Sequence, residues 1–296
     1  LAAELPAFLW ANELPVNSTS QYAQYCVFRL AAEQGITVLL DGQGADELLG
    51  GYEQYFGPYL AAGMGAEEGA IRARYPQALD SGATGLKRRL PPGVKRLLAR
   101  ISGRGSDPAL GLAPGLFDGA QGLSPPEGFD PLHGALFRDS FQGHLPTLLR
   151  YGDRNSMAHS REVRLPFCDH RLAELAFSLP PSLLMGGAQT KRLLRESMRG
   201  ILPEPIRTRW NKQGFLPPQD LWLQGGLGRL AEEIIQSPDF AGRGLWNVGW
   251  WRAVLGRFQA GETALAWTLW RPLVTESWLT HVLARLESMP RLPVRE

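Results

Sequence analysis

One stretch limits the folds open to this chain more than any other. A β-branched and apolar run, Ile36-Thr37-Val38-Leu39-Leu40, passes directly into Asp41-Gly42-Gln43-Gly44-Ala45-Asp46-Glu47-Leu48-Leu49-Gly50-Gly51-Tyr52. The run predicts a buried strand at 36–40. A strand that ends in Asp-Gly-x-Gly delivers bare backbone amides and carboxylates to the carboxyl edge of a sheet. In open α/β folds that edge is where nucleotides and their metal ions bind. The glycines allow close backbone approach or positive φ. Asp46 and Glu47 add two hard oxygen ligands at the start of a predicted helix, although a plain strand-to-helix turn with N-capping acids would use the same residues. A calcium loop of the EF-hand type does not fit, because its fifth position would be Ala45 and its sixth Asp46 instead of glycine.

The rest of the chain predicts a helix-rich α/β protein. Ser18-Thr19-Ser20 supplies hydroxyl caps for a helix at about 21–34, with Tyr22, Tyr25, Cys26, Phe28 and Leu30 on a broad apolar face and Gly35 as its stop. A helix joined so briefly to a strand suggests a helix packed on a sheet. From 62 to 131 glycine, proline and basic residues become dense, as in Lys87-Arg88-Arg89-Leu90-Pro91-Pro92-Gly93. The aromatic interleaving that single-stranded nucleic acid requires is missing there, so this region reads as an insertion or linker. Beyond 131 the periodicity predicts helices at about 134–150, 168–178, 189–200, 220–236, 247–260 and 262–288. Trp246, Trp250, Trp251, Trp267, Trp270 and Trp278 fall in or beside the last two and are expected in the core. The expected organisation is therefore an α/β unit at 1–61, an insertion or linker at 62–131 and a helical part at 132–296.

Composition excludes more than it selects. With 31 basic and 29 acidic residues among 296, no global field points to nucleic acid or to a membrane surface. No apolar run reaches the roughly 18–20 residues of a membrane span, and no signal-peptide pattern opens the chain. Cys26 and Cys168 are the two cysteines; without framework or metal spacing they favour a reducing, cytoplasmic setting. His133, His144, His159, His170 and His281 form no HExxH or other close ligand pair, which argues against zinc. Leu1-Ala2-Ala3-Glu4-Leu5-Pro6 opens in mid-pattern without methionine, as a fragment of a longer protein would.

Two further segments carry chemistry. One runs Asp153-Arg154-Asn155-Ser156-Met157-Ala158-His159-Ser160-Arg161-Glu162-Val163-Arg164-Leu165-Pro166-Phe167-Cys168-Asp169-His170-Arg171-Leu172. In it, Asp153, Arg154, Glu162 and Arg164 suit either a buried, mutually satisfied ion-pair cluster or a polar site. The other runs Thr190-Lys191-Arg192-Leu193-Leu194-Arg195-Glu196, through Leu202-Pro203-Glu204-Pro205-Ile206, to Arg209-Trp210-Asn211-Lys212-Gln213-Gly214-Phe215. Lys212 lies in a loop, either simply solvated or placed to close over a phosphate.

These three segments, in this order, resemble the synthetase domain of the glutamine-dependent asparagine synthetases across nearly the whole chain. Asn12-Glu13-Leu14-Pro15 through Tyr22-Ala23-Gln24-Tyr25 resembles the same family, especially the branch found with bacterial surface-polysaccharide genes. The resemblance implies a truncated adenine nucleotide α-hydrolase-like (PP-loop ATPase) domain and makes 1–61 a remnant of its nucleotide-binding unit. It also implies adenylation of aspartate or a related carboxylate by ATP and Mg2+, followed by attack of ammonia. On that pattern Asp41, Gly42 and Gly44 approach the nucleotide and Asp46 is a magnesium ligand. Glu47 either assists the metal or caps the helix, and Lys212 stabilises charge on the reacting phosphoryl group. A homodimer is compatible with the full-length protein.

This sequence departs from the pattern in two respects. Gln43 stands where asparagine-forming members usually carry glutamate, and an amide cannot take a proton. That shifts attention to Asp153 as an alternative carboxylate and to acceptors other than aspartate, among them sugar-linked carboxylates; β-lactam-forming relatives depart at the same position. Neither an SGG-x-D-S pyrophosphate loop, nor a Walker A loop, nor a glutaminase domain to release ammonia is found in the 296 residues. The chain alone is therefore expected to be inactive, with strand edges open to aggregation. A non-catalytic binding module is the reading from a different class.

Overall fold

The computed structural model describes residues 1–79, 108–113, 116, 124–211, 214 and 217–289. Helix α1 (Leu5–Asn12) leads through a turn to α2 (Thr19–Glu33). The start of α2 follows from its cap: Ser18 is extended, and its hydroxyl accepts the Ser20 N–H that the first turn leaves over. Gly35, at φ 71°, turns the chain out of α2 and into β1 (Val38–Leu40). The acidic loop then feeds the short α3 (Ala45–Leu49).

After the segment at 50–79, α4 (Pro131–Phe141) starts on Asp130, whose carboxylate accepts the Leu132 and His133 N–H groups. It is followed by α5 (His144–Met157), β2 (Glu162–Arg164), α6 (His170–Ser178) and α7 (Arg192–Ser197). Helices α8 (Gly226–Gln236), α9 (Val248–Gln259) and α10 (Ala266–Trp278) follow, and a π-turn (Leu279–Leu283) and a short helix (Ala284–Glu287) carry α10 on to the end of the described chain. None of the described helices is long and apolar enough to cross a membrane.

β1 and β2 pair in parallel, Val38 opposite Glu162 and Leu40 opposite Arg164, and the described residues form no larger sheet. Parallel pairing needs a long crossover, here supplied by everything from α3 to α5. Helix α5 packs on α2 and runs straight into β2, so both faces of the site's entrance are built from these two helices. The helix-rich α/β architecture with few parallel strands agrees with the expectation. The burial of the strand does not: Ile36, Val38 and Leu40 are all exposed, Leu40 by 75 %. With β2 as its one described partner, β1 presents alternate side chains to solvent rather than to a second layer.

Two apolar clusters organise the described residues. In the first, α1 and α2 contribute Leu5, Phe8, Leu9 and Tyr22 to a core shared with α8, α9 and α10, centred on the fully buried Trp251 and Trp270. The second gathers Leu48 and Leu49 of α3 with Tyr55, Phe56, Tyr59, Ile71, Tyr75, Leu132 and Leu136. Of the expected insertion, residues 80–107, 114–115 and 117–123 lie outside the described residues. Its described flanks are built into the cores: Ile71 and Tyr75 are buried, and the Gly111 carbonyl accepts the Trp251 indole N–H at 2.8 Å.

The helical pattern needs four corrections. The helix expected at 134–150 is two, because Gly143 takes a non-helical conformation (φ −103°, ψ −109°) between α4 and α5. The one expected at 220–236 breaks in the same way at Gly225. The helix expected at 189–200 shrinks to α7 because Lys191, at φ 51°, adopts the left-handed conformation just before it. Trp267 is 46 % exposed instead of buried, since it lies on the exposed stripe of α10 with Arg271, one turn on, opposite the buried Leu269 and Glu276.

Candidate active site

The site is assembled at the carboxyl end of β1. The ladder continues one residue past the strand, with Asp41 N–H donating to the Arg164 carbonyl at 3.0 Å. Asp41 Oδ1 then turns back to accept the Gly42 N–H at 2.6 Å, which shapes the loop from within. Gly44 stands at φ 95° as the first residue of the turn into α3. A Cβ there would lie 3.0 Å from Cys168 Sγ and 3.3 Å from the Phe167 carbonyl. Both the conformation and the close approach therefore call for glycine. Cys168 donates a weak hydrogen bond to the Gln43 carbonyl at 3.5 Å. Burial pushes its thiol up from the ordinary value, and the Glu47 and Asp41 carboxylates add to this, so it packs as a neutral group.

Asp41 and Gln43, with Leu148 of α5, form the partition between two cavities. The larger, of about 360 Å³, opens between α2 and α5 and is lined also by Gln21, Gln24, Phe28 and Tyr151. The smaller, of about 210 Å³, lies under α5 and is lined also by Asp153, Ser156 and Glu162. Of the residues expected at the site from sequence, Asp41, Gln43 and Asp153 thus line one common cavity. Asp153 is 59 % exposed at its side chain and bonds Arg154 at 2.8 Å; Arg164 bonds Glu162 at 2.7 Å with both side chains exposed. The buried ion-pair cluster is therefore replaced by two surface pairs on the rim, where each group keeps its water.

Asp46 and Glu47 part company. Asp46, in the first turn of α3, points its carboxylate at a cation the motif reading had not singled out: Lys191 Nζ lies 3.0 Å from Asp46 Oδ1. The same Asp46 carboxylate occupies the space beside Gly51, where a Cβ would come within 1.8 Å of Oδ1. Lys191 is held by its backbone, its N–H donating to the Gly50 carbonyl at 3.3 Å. A cation at the N-terminus of a helix opposes the helix dipole, and a non-glycine residue at φ 51° is strained. Two locally disfavoured features thus meet at one residue, and both become visible only once the start of α7 is placed by the structure. Glu47 is 1 % exposed, and its Oε1 accepts the Tyr52 hydroxyl at 2.6 Å. Burial, then that bond, raises the Tyr52 phenol well above its ordinary value. Behind it, Tyr55 donates to Asp139 at 2.6 Å. Glu47 is thereby tied into the wall behind the loop. Lys212 lies outside the described residues.

The donor set fits magnesium carried on phosphates. No group of three or more His, Cys, Asp or Glu residues among those described could hold a metal by itself. Mg2+ usually takes one or two carboxylates and completes its shell with water and substrate phosphates. Asp46 offers one hard oxygen ligand in a cradle that Gly51 leaves open, with an ammonium beside it to meet phosphate charge.

Comparison with known proteins places the sequence in one family. The asparagine synthase family profile covers residues 1–280. The chain is 28 % identical to asparagine synthetase [glutamine-hydrolyzing] 1 of Bacillus subtilis, matching 79 % of this chain and 39 % of that protein. It is 27 % identical to a putative asparagine synthetase [glutamine-hydrolyzing] of Mycobacterium tuberculosis, over 99 % of this chain and 47 % of that one. It is also 26 % identical to amidase chyE of Penicillium rubens, over 83 % of this chain and 42 % of that one. The chain thus spans less than half the length of each of these relatives. It belongs to the asparagine synthase family.

Proposed function

We propose that this chain forms one wall of an ATP-dependent amide-forming site on an adenine nucleotide α-hydrolase-type (PP-loop ATPase) fold. A carboxylate oxygen of the acceptor attacks the α-phosphorus of ATP and pyrophosphate leaves. Ammonia, released elsewhere in the full-length protein, then attacks the acyl carbon, AMP leaves, and the nitrogen gives up a proton. The observation that carries this reading is the Asp46–Lys191 pair, 3.0 Å apart, at the carboxyl edge of the parallel strands.

In this reading Asp41 and the Gly42–Gly44 backbone approach the nucleotide, since Asp41 and Gln43 of the same loop line both cavities. Lys191 meets the negative charge of the leaving pyrophosphate, and Asp46 orients the cation that accompanies it. Bound Mg2+ would neutralise phosphate charge at Asp46. Gln43 has no basic atom, so it positions a substrate by hydrogen bonds. Asp153, on the same cavity, is the carboxylate that receives the proton from the attacking nitrogen. Lys212, which the family resemblance puts at the reacting phosphoryl group, supplies a second cation. Aspartate is the simplest acceptor the family suggests.

The test uses the full-length protein. Pyrophosphate release should require ATP, Mg2+ and a carboxylate, and Asp46→Asn should lower it about a hundredfold or more. An unchanged rate in that variant would overturn the assignment.

A further inference from the structure

We infer that Arg195 is a positioning residue of this site: from the first turn of α7 it sets the backbone at Lys191 and so holds the Lys191 ammonium on Asp46. This rests on the amide-forming reading above, in which Lys191 is the cation at the leaving pyrophosphate.

Two peptide planes meet at every Cα, and φ and ψ describe how they are turned. At Lys191 the angles are 51° and 40°, a left-handed conformation disfavoured for any residue with a Cβ. Three hydrogen bonds pin the two planes. The plane ahead of the Cα carries the Lys191 N–H, which donates to the Gly50 carbonyl at 3.3 Å. It also carries the carbonyl of the buried Thr190, which accepts the Arg195 Nε–H at 2.7 Å. The plane behind carries the Lys191 carbonyl, which accepts the Arg195 main-chain N–H at 3.0 Å. Arg195 thus supplies two of the three bonds, one on each side of Lys191. Gly50, the C-cap of α3, ties the same turn to the helix that carries Asp46. The contacts therefore close a ring, from Asp46 along α3 to Gly50, on to Lys191, and back across 3.0 Å to Asp46.

The rest of the guanidinium shows why it stays in place. Arg195 Nη1 donates to the Arg207 carbonyl at 2.6 Å, and Arg207 Nη1 donates back to the Arg195 carbonyl at 3.3 Å. Arg207 is itself buried and gripped by the Glu204 carboxylate at 2.8 and 2.9 Å. This reciprocal clasp anchors α7 to the one-turn helix Glu204–Arg207. A guanidinium can hold two carbonyls in fixed directions because its N–H groups share one rigid plane, which an ammonium lacks. The setting is otherwise poor for a cation. Burial first, and then the like charges of Arg209, Arg207 and Arg74, lower the Arg195 pKa from its ordinary value. A cation partly buried at that cost is explained by the carbonyls it holds. Without the side chain the Thr190 carbonyl is released, and the plane ahead of Lys191 is free to turn toward an ordinary φ, carrying the ammonium away from Asp46.

The test uses the full-length protein and Arg195→Met, which keeps the length of the side chain but donates nothing. Acetic anhydride should acetylate Lys191 about threefold faster or more in the variant, read by peptide mass spectrometry, because the ammonium has left its carboxylate. In carboxylate-dependent ATP–pyrophosphate exchange, kcat should fall about tenfold or more, with KM for the carboxylate within about twofold. Added to Lys191→Gly, the same substitution should lower exchange by less than about a further threefold, since the two residues act as one unit. Equal losses with and without Lys191 would show that Arg195 acts elsewhere and would overturn the proposal, as would unchanged acetylation. If Arg195→Met does not fold, Arg195→Lys takes its place with the same expectations, because it keeps the charge but cannot bridge two carbonyls. Acetylation also separates the two levels. Faster labelling in the variant, with exchange undiminished in Lys191→Gly, upholds the hold on Lys191 and sinks the amide-forming reading. Unchanged labelling together with undiminished exchange overturns both.

Discussion

Lys191 is the residue on which most turns. Its left-handed backbone and its place before a helix are both locally unfavourable, so its presence there is explained by what its ammonium reaches. Lys191→Gly separates the two roles. Glycine relieves the positive φ, so stability should stay within about 1 kcal/mol of the parent in chemical denaturation. Pyrophosphate release should nonetheless fall about a hundredfold or more, the scale on which a preorganised charge acts. Gly51→Ala makes the complementary case. Its Cβ would collide with Asp46 Oδ1, so either the carboxylate moves or the turn after α3 opens. Activity should be lost while the circular dichroism spectrum is kept.

The turn itself was legible, because Asp-Gly-x-Gly after an apolar run marks where a strand ends and a helix begins. The cation was not, because its position depends on the Gly50 carbonyl, which tertiary packing brings to the Lys191 N–H. Glu47 looked like a second metal ligand from its spacing. Only the burial of α3 against Tyr52 assigns it to the wall.

Among the elements, those with chemical punctuation were readable. Ser18, Asp169 and Asn247 accept first-turn N–H groups of α2, α6 and α9, and those helices lie within a residue or two of their expected spans. Gly143 and Gly225 were hidden inside an amphipathic rhythm that continues on both sides of the break. The apolar run of β1 marked a strand but could not say what covers it. Tryptophan spacing in α10 likewise gave helix but not face. Trp270→Ala, at a fully buried position, should destabilise by about 3–5 kcal/mol in denaturant titration. Trp267→Ala, on the exposed face, should change stability by less than about 0.5 kcal/mol. Equal effects would mean that α10 is rotated about its axis.

For the whole molecule, α1 and α2 pack into the same core as α8, α9 and α10, so the amino-terminal residues that build the site are held by the carboxyl-terminal helices. One titrating contact reports on that arrangement. His159, just after the end of α5, packs against Tyr25 of α2 with ring centroids 4.4 Å apart and the rings tilted by 58°. Burial first, and then the nearby Arg29 charge, lowers its pKa below the ordinary 6.5. The neutral ring is therefore the form the fold favours, and the unfolded chain binds the proton more readily. Its contribution is fully present above about pH 6.5 and is lost as pH falls from there through the lower folded value. The midpoint of thermal unfolding should drop between pH 7.5 and 5.5, and His159→Phe, which keeps an aromatic ring against Tyr25, should flatten that drop.

The central claim is that this chain contributes a phosphate-binding wall to carboxylate activation, with Lys191 as its cation. Carboxylate-dependent ATP–pyrophosphate exchange by the full-length protein, compared between wild type and Lys191→Gly, tests it most directly. The account predicts exchange in the wild type and at least a hundredfold loss in a variant of unchanged melting temperature. Exchange undiminished in Lys191→Gly, or absent from the wild type with every carboxylate offered, would contradict it.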